Sequence, residues 1–179
     1  MIDITIDDRE VREALERLQR RLSDLSPVMR DIGELLTERA KQRFATSTGP
    51  DGKAWAPNAP STIAAYLSSY GGSFKKRGGL TKQGAARAAR KKPLIGESRA
   101  LSTTIHYQAG RESVTIGSPM VYAAIHQFGG QAGRGKRVTI PARPFLPVTA
   151  AGTWLGEADR AAVLDILREA INQAANPRG

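Results

Sequence analysis

Leu101-Ser102-Thr103-Thr104-Ile105-His106-Tyr107-Gln108-Ala109, a turn at Gly110, then Ser113-Val114-Thr115-Ile116: this stretch reads as two strands folded back on each other. Ile105 and Tyr107, and on the return Val114 and Ile116, alternate with polar neighbours, the period-two pattern of a hairpin with one buried face. Downstream, residues 119–128 read as a short helix with Tyr122, Ala123 and Ile125 on its inner side, and residues 137–140 as a further strand. Residues 157–174 carry Val163, Ile166, Leu167, Ala170 and Ile171 at helical spacing.

Upstream, Ile2, Ile4 and Ile6 alternate with Asp3, Thr5 and Asp7, which predicts a short edge strand. Asp7 or Asp8 then caps a helix whose Val11, Leu15, Leu18, Leu22 and Leu25 form one apolar stripe. Ser26-Pro27 restarts a second helix, with Ser26 as N-cap and Pro27 at the first helical position, where a missing N–H costs nothing. Ile32, Leu35, Leu36 and Ala40 carry its apolar face toward Phe44. The expected class is α+β: long N-terminal helices and a C-terminal helix packed on a small antiparallel β-sheet, in a single domain over residues 1–179.

The helical pattern breaks at Thr46-Ser47-Thr48-Gly49-Pro50-Asp51-Gly52, where Pro-Asp-Gly presets a tight reversal, and an ordered loop bearing Trp55 follows. Residues 68–92 are rich in Gly, Ser, Lys, Arg and Ala with little apolar anchoring beyond Phe74 and Leu80. They read as a basic, flexible insertion, helical between residues 81 and 90.

The net charge of +10 over 179 residues favours anionic partners. Between Asp51 and Glu97 there is no acidic residue, whereas Lys53, Lys75, Lys76, Arg77, Lys82, Arg87, Arg90, Lys91 and Lys92 all fall there. Such a cluster attracts phosphate without regard to sequence. It lacks aromatics within itself for stacking bases, which argues against a specific single-strand reader. The chain has no cysteine, so disulfides and thiolate metal sites are excluded. No apolar stretch approaches the roughly 20 residues of a membrane span, and the acidic, alternating start lacks the basic and apolar regions of a secretory signal. Assembly in the cytoplasm and no membrane partner are the expectations.

The residues offer little for catalysis. His106 and His126 are isolated, with no His-x-x-x-His spacing, so neither a metal nor a cofactor is expected; a small hydrolase would have to rest on His126. Gly130-Gln131-Ala132-Gly133-Arg134-Gly135-Lys136 formally matches part of a phosphate-binding loop, but Arg137 stands where Ser or Thr is needed. The flanking pattern is also reversed, a helix before and a strand after, so the segment reads as a flexible basic loop. Carboxylates including Glu34, Glu38, Asp159 and Asp165 interleave with arginines at spacings that suit solvated helix faces or intersubunit pairs.

An ordered series of motifs remains: Pro50-Asp51-Gly52-Lys53-Ala54-Trp55, Lys92-Pro93-Leu94-Ile95-Gly96-Glu97-Ser98-Arg99-Ala100-Leu101, Tyr122-Ala123-Ala124-Ile125-His126-Gln127-Phe128-Gly129-Gly130 and Ile140-Pro141-Ala142-Arg143-Pro144-Phe145-Leu146. This series resembles the phage virion morphogenesis family, the tail-completion proteins of Mu-like and related tailed phages, from the first helix to the last. The resemblance implies a non-enzymatic virion protein of the neck or tail end, added in tail completion and head–tail joining. It also implies identical subunits in a ring of six or twelve, with neighbouring neck and tail proteins as partners and genomic DNA passing through the channel. The alternative is a nucleic-acid-binding protein using residues 75–92, where Lys75, Lys76, Arg77, Lys82, Arg87, Arg90, Lys91 and Lys92 would contact DNA or an acidic partner. Trp55, Tyr122, His126, Phe128, Arg143 and Phe145 are the candidate interface or motif residues. Pro141, Pro144 and Pro147 stiffen the segment around Arg143 and Phe145, which are residue types that anchor interfaces. The other reading has Trp55, Tyr122, Phe128 and Phe145 filling the chain's own core, and Gly129 and Gly130 ending their helix in a left-handed turn.

Overall fold

The computed structural model describes residues 23–149, 151 and 153–175, together with Glu16 and Gln19. The strand predicted at Ile2, Ile4 and Ile6 and the helix predicted to carry Val11, Leu15, Leu18 and Leu22 lie outside the described residues. The first continuous helix, α1, spans Ser26–Thr46. Its start differs from the expected cap. Leu25 holds the cap position, Ser26 is already helical, and the Asp24 carboxylate accepts the Ser26 N–H at 3.0 Å and its hydroxyl at 2.5 Å. Aspartate is the better acceptor for an orphan first-turn donor, so the boundary moves by one residue.

The spacing of apolar residues along α1 creates two packing surfaces. Met29, Ile32 and Leu36 meet Ala109, Val114 and Ile116 on one side and Val163, Ile166 and Leu167 on the other. One to two turns later Ala40 and Phe44 join Trp55, Leu101, Ile105 and Phe145 in the main core. Gly33 sits between these surfaces because the Tyr107 ring lies flat on the helix there. A Cβ at Gly33 would fall 2.3 Å from Tyr107 Cδ2, so the usual gain from replacing a helical glycine is overridden by the clash.

The Pro-Asp-Gly reversal forms as expected. Ser47 leaves α1 in the left-handed region, Thr48 pairs with Ala54, and the Gly49 N–H donates to the Lys53 carbonyl at 2.8 Å. The chain then forms α2, Pro60–Ser68, where an ordered loop is expected, and α3, Lys82–Arg90. Thr81 caps α3, its hydroxyl accepting the Gly84 N–H at 2.9 Å. Residues 68–92 thus have more structure than their composition suggested. Phe74 pairs with Leu80 around a tip at residues 75–79, and Gly84 packs so closely on the Ser73 backbone that a Cβ there would lie 2.1 Å from its carbonyl oxygen.

The hairpin is shorter than predicted. Residues 100–103 form a helical turn, α4 (Ala100–Thr103), and the strands are β1, His106–Ala109, and β2, Val114–Gly117. Backbone N–H groups and hydroxyls of Ser102 and Thr103 bond back to the Arg99 carbonyl, and such local bonds compete with a ladder. Register pairs Tyr107 with Ile116 and Ala109 with Val114, which puts the predicted apolar face on α1. The next helix, α5, covers Ala123–Phe128 instead of the expected 119–128. The basic loop after it is itself a ribbon: β3 (Gly130–Ala132) pairs antiparallel with β4 (Val138–Ile140) around a short 3₁₀ turn at Arg134–Lys136. The segment that formally matches a phosphate-binding loop therefore joins two paired strands. Gly129 does leave α5 with positive φ (74°), but with ψ at 179° it turns into β3 and not into a left-handed cap. The final helix, α6, spans Glu157–Ala175 and lies along α1. The class is α+β, its antiparallel pairing divided between two two-stranded ribbons among the described residues. No helix of the described residues is long and apolar enough to cross a membrane.

Candidate functional site

The Pro-Ala-Arg-Pro-Phe-Leu segment, residues 141–146, runs through the middle of the molecule, and its two prolines, with Pro147 directly after it, leave few N–H groups to pair. Three of those that remain are met by α5. The Arg143 N–H donates to the His126 carbonyl at 2.8 Å, and the Phe145 and Leu146 N–H groups both donate to the Gln127 side-chain oxygen at 2.9 and 2.8 Å. The amide nitrogen of Gln127 in turn donates to the Leu146 and Val148 carbonyls at 3.0 and 2.9 Å. A single buried side chain thus substitutes for a strand partner. Gly129 is needed beside it, because a Cβ there would come within 2.9 Å of the Ala142 nitrogen.

From the other side the segment is held by three residues. The Trp55 indole N–H donates to the Pro144 carbonyl at 2.9 Å, and its ring meets Phe44 edge-on at 5.4 Å; Phe44 also touches Phe145, at 5.3 Å. Arg143 turns outward from the segment, Nε to the Ala56 carbonyl at 2.8 Å and Nη2 to the Pro57 carbonyl at 2.7 Å. Arg43 of α1 donates Nη1 to the Phe145 carbonyl at 2.8 Å and Nη2 to Asp159 of α6, whose second oxygen takes Arg39 at 3.2 Å. Burial pulls the Arg43 guanidinium below its ordinary value, and the neighbouring Asp159 charge partly opposes this. The spacing of Asp159 suits a solvated helix face or an intersubunit pair; at 1% exposure it is instead the buried counter-charge of this chain's own core.

Of the candidate interface residues, Trp55, Arg143 and Phe145 are buried within this chain, Phe145 at 1% exposure, so their contacts here are intramolecular. Tyr122 and Phe128, expected on the inner side of their helix or in the core, are exposed at 40% and 46%, while Gln127 holds the inner position. They share the α5 side of the molecule with Val121, which is 97% exposed, and Tyr122 and Val138 border one groove of about 590 Å³. His106 is exposed, its Nδ1 3.1 Å from the Thr104 carbonyl. His126 stacks edge-on against Tyr122 at 5.9 Å and buries an Nδ1 without a hydrogen-bond partner. Among the described residues no cluster of three or more His, Asp or Glu side chains can hold a metal ion.

Burial, and secondarily the charge of Arg143, push the His126 imidazole below its ordinary value of 6.5. The unfolded chain therefore takes up the His126 proton at higher pH than the folded chain. The corresponding stability is present above pH 6.5 and is lost as pH falls from there toward the folded-state value. In urea titrations, His126→Leu is expected to flatten the loss of midpoint below pH 6.5 relative to the parent; parallel curves would show that His126 stays solvated.

The basic residues divide into three groups. Lys75, Lys76 and Arg77 sit at the exposed tip of residues 75–79, without an ion-pair partner among the described residues, and Lys82 is exposed at the start of α3. Arg87 is absorbed into its own lobe, donating to the Gly71 carbonyl at 2.8 Å and the Ser73 hydroxyl at 3.0 Å and lying 5.2 Å from the Tyr70 ring centroid. Arg90, Lys91 and Lys92 line a cleft with Tyr66 of α2 and Tyr70 just beyond its end. The fold thus brings aromatic rings to a basic segment that has none within 75–92, which linear reading missed because α2 itself had been missed.

This framework of a proline strut, a glutamine clamp and a tryptophan brace draws on three of the four motifs that run through the sequence. The profile of the phage virion morphogenesis family matches residues 6–172. The chain belongs to that family. It is 33% identical over 150 residues, 83% of this chain and 86% of the relative, to the Mu-like prophage FluMu G protein 2 of Haemophilus influenzae. It is 31% identical over 153 residues, 81% and 86% of the two chains, to the putative capsid assembly protein G of Escherichia phage Mu. No solved structure matches the chain significantly. As a member of the virion morphogenesis family, the chain has a structural or assembly role in a phage particle.

Proposed function

We propose that the chain is a non-catalytic structural subunit of the neck or tail end of a tailed-phage particle, which forms a ring with identical copies and completes the tail for joining to the head. Family membership over residues 6–172 carries this reading. The surface agrees with it: Val121, Tyr122, Phe128 and Val138 leave apolar area exposed around α5 and β4, beside a groove that Tyr122 and Val138 border. Exposed apolar area of this kind suits a neighbouring subunit, and the rigid strut beneath would hold it in place at little entropic cost on docking. Negative-stain microscopy of the purified protein, alone and with tails that lack it, tests the proposal. Rings, and tails that become competent for head joining, are the expected result; a monodisperse monomer that joins neither tails nor heads would overturn it. A second reading, nucleic-acid binding, draws on the exposed tip at Lys75, Lys76 and Arg77. If reversing those three charges abolishes DNA affinity and leaves particle assembly intact, the tip serves DNA and not the junction.

A further inference from the structure

A cleft of about 780 Å³ opens between α1, α2, the end of α3 and the wall formed by residues 94–103. Its lining brings together Lys41, Arg90, Lys91, Lys92 and Arg99 against a single carboxylate, Glu97. These cations come from separate parts of the sequence, so the local potential is strongly positive inside a concave, partly apolar recess, the arrangement that concentrates anions most effectively. Two of them are pre-positioned. Lys91 is bonded to the Ile95 carbonyl and lies 4.8 Å from the Tyr66 ring centroid, and Lys92 donates to the Ala45 carbonyl at 2.5 Å. Each ammonium keeps further donors for a ligand. Lys41, Arg90 and Arg99 are exposed and have no ion-pair partner among the described residues. The wall itself is held in an unfavourable backbone form: Leu94 and Arg99 both take positive φ, 61° and 52°, without being glycine. Strain of this kind is retained where the surrounding structure fixes a functional shape.

We propose that this cleft binds an extended acidic polypeptide segment of a neighbouring virion protein. The inference rests on the junction reading for where the partner comes from, but not for the chemistry of the cleft. The shape favours a peptide over duplex DNA, because a duplex is a rod with its phosphates outside and touches only the rim of a recess of this size. Single-stranded nucleic acid is disfavoured by the state of the tyrosines. Tyr66 and Tyr70 pack edge-on on each other at 5.1 Å, and each is already overlaid by a cation, Lys91 and Arg87, which leaves little free ring face for a base. Carboxylate side chains reaching the cations from an extended backbone that lies on Phe44, Ala45 and Ile95 satisfy both the charge and the apolar part of the lining.

Fluorescence anisotropy on the full chain tests this with a labelled oligoglutamate peptide and a labelled random-sequence duplex as probes. The double variant Lys41→Glu, Arg99→Glu should weaken peptide binding by roughly tenfold or more while duplex affinity changes by less than about threefold, since attraction becomes repulsion only within the cleft. Both side chains are exposed, so the fold is retained, and Arg90→Glu gives an independent check. Reversal of Lys75, Lys76 and Arg77 should do the opposite. The proposal is overturned if the parent does not bind the peptide, if the cleft variants bind it unchanged, or if duplex affinity falls as far as peptide affinity. These readouts need no particle, so the junction reading, tested by microscopy, stands or falls separately.

Discussion

Replacing Asp159 by alanine is expected to destabilise the fold by about 3–5 kcal/mol, the cost of leaving a buried charge without its partner. Arg43 cannot escape to solvent when its counter-ion is removed, because its other nitrogen is held by the Phe145 carbonyl in the centre of the core. Arg39 adds little, being about one third exposed at its side chain, where such pairs contribute about 1 kcal/mol or less. Urea denaturation should show the loss as a lower midpoint with an unchanged slope. Asp159→Asn, which keeps an acceptor but not the charge, should fall between parent and alanine variant. The double variant Arg43→Met, Asp159→Leu should recover much of the loss, since apolar side chains of similar size replace a buried pair without the desolvation cost. A loss below about 1 kcal/mol for Asp159→Ala would place the pair among solvated surface bridges and contradict its burial.

Gln127→Ala is the second large effect. It removes four hydrogen bonds at once and strands the Phe145 and Leu146 N–H groups and the Leu146 and Val148 carbonyls. At roughly 1–3 kcal/mol for each buried group left unpaired, the two donors alone predict a loss of about 2–6 kcal/mol. Amide exchange gives a residue-level check: the Phe145 and Leu146 amides should lose protection before the amides of α1 do. Gln127→Glu is a sharper control. A carboxylate still accepts from the two N–H groups but faces two carbonyls it cannot donate to, so this variant should be nearly as unstable at neutral pH and should recover on acidification, when its proton supplies a donor. Retained protection at Phe145 and Leu146 in the alanine variant would mean that the segment is held by its prolines and not by Gln127.

What the linear sequence revealed follows from which interactions are periodic. The stripes of α1 and α6 and the alternation at Tyr107, Val114 and Ile116 were legible because burial repeats at 3.6 or 2 residues, and Pro50-Asp51-Gly52 because turn geometry is a local property. The start of the first predicted strand is a helical turn instead because Thr103, Thr104 and Ile105 favour strand by type, whereas the bonds of Ser102 and Thr103 to the Arg99 carbonyl are decided by geometry. Helix α2 was passed over because Pro60-Ser61-Thr62 looks like loop, although proline in the first turn was a usable signal. The site was harder. Gln127, Arg43 and Asp159 are polar residues whose partners lie 18, 102 and 116 positions away, and no local pattern distinguishes such a residue from a solvated one. The motif at residues 122–130 contains Gln127 but carries no local sign of its role, and the cationic cleft forms only by the contact of segments that are remote in sequence.

The pairing of Arg43 with Asp159 also sets a schedule for synthesis. At about 5–20 residues per second, the 116 positions between them take roughly 6–23 s to translate. Until then α1 carries a core-facing cation with no counter-ion, and the proline strut that Arg43 steadies lacks its final anchor. The nascent subunit cannot close its core before Asp159 has been added, so chains that stop short of that residue expose a charged, unlocked surface to quality control and do not present a finished one to a growing particle.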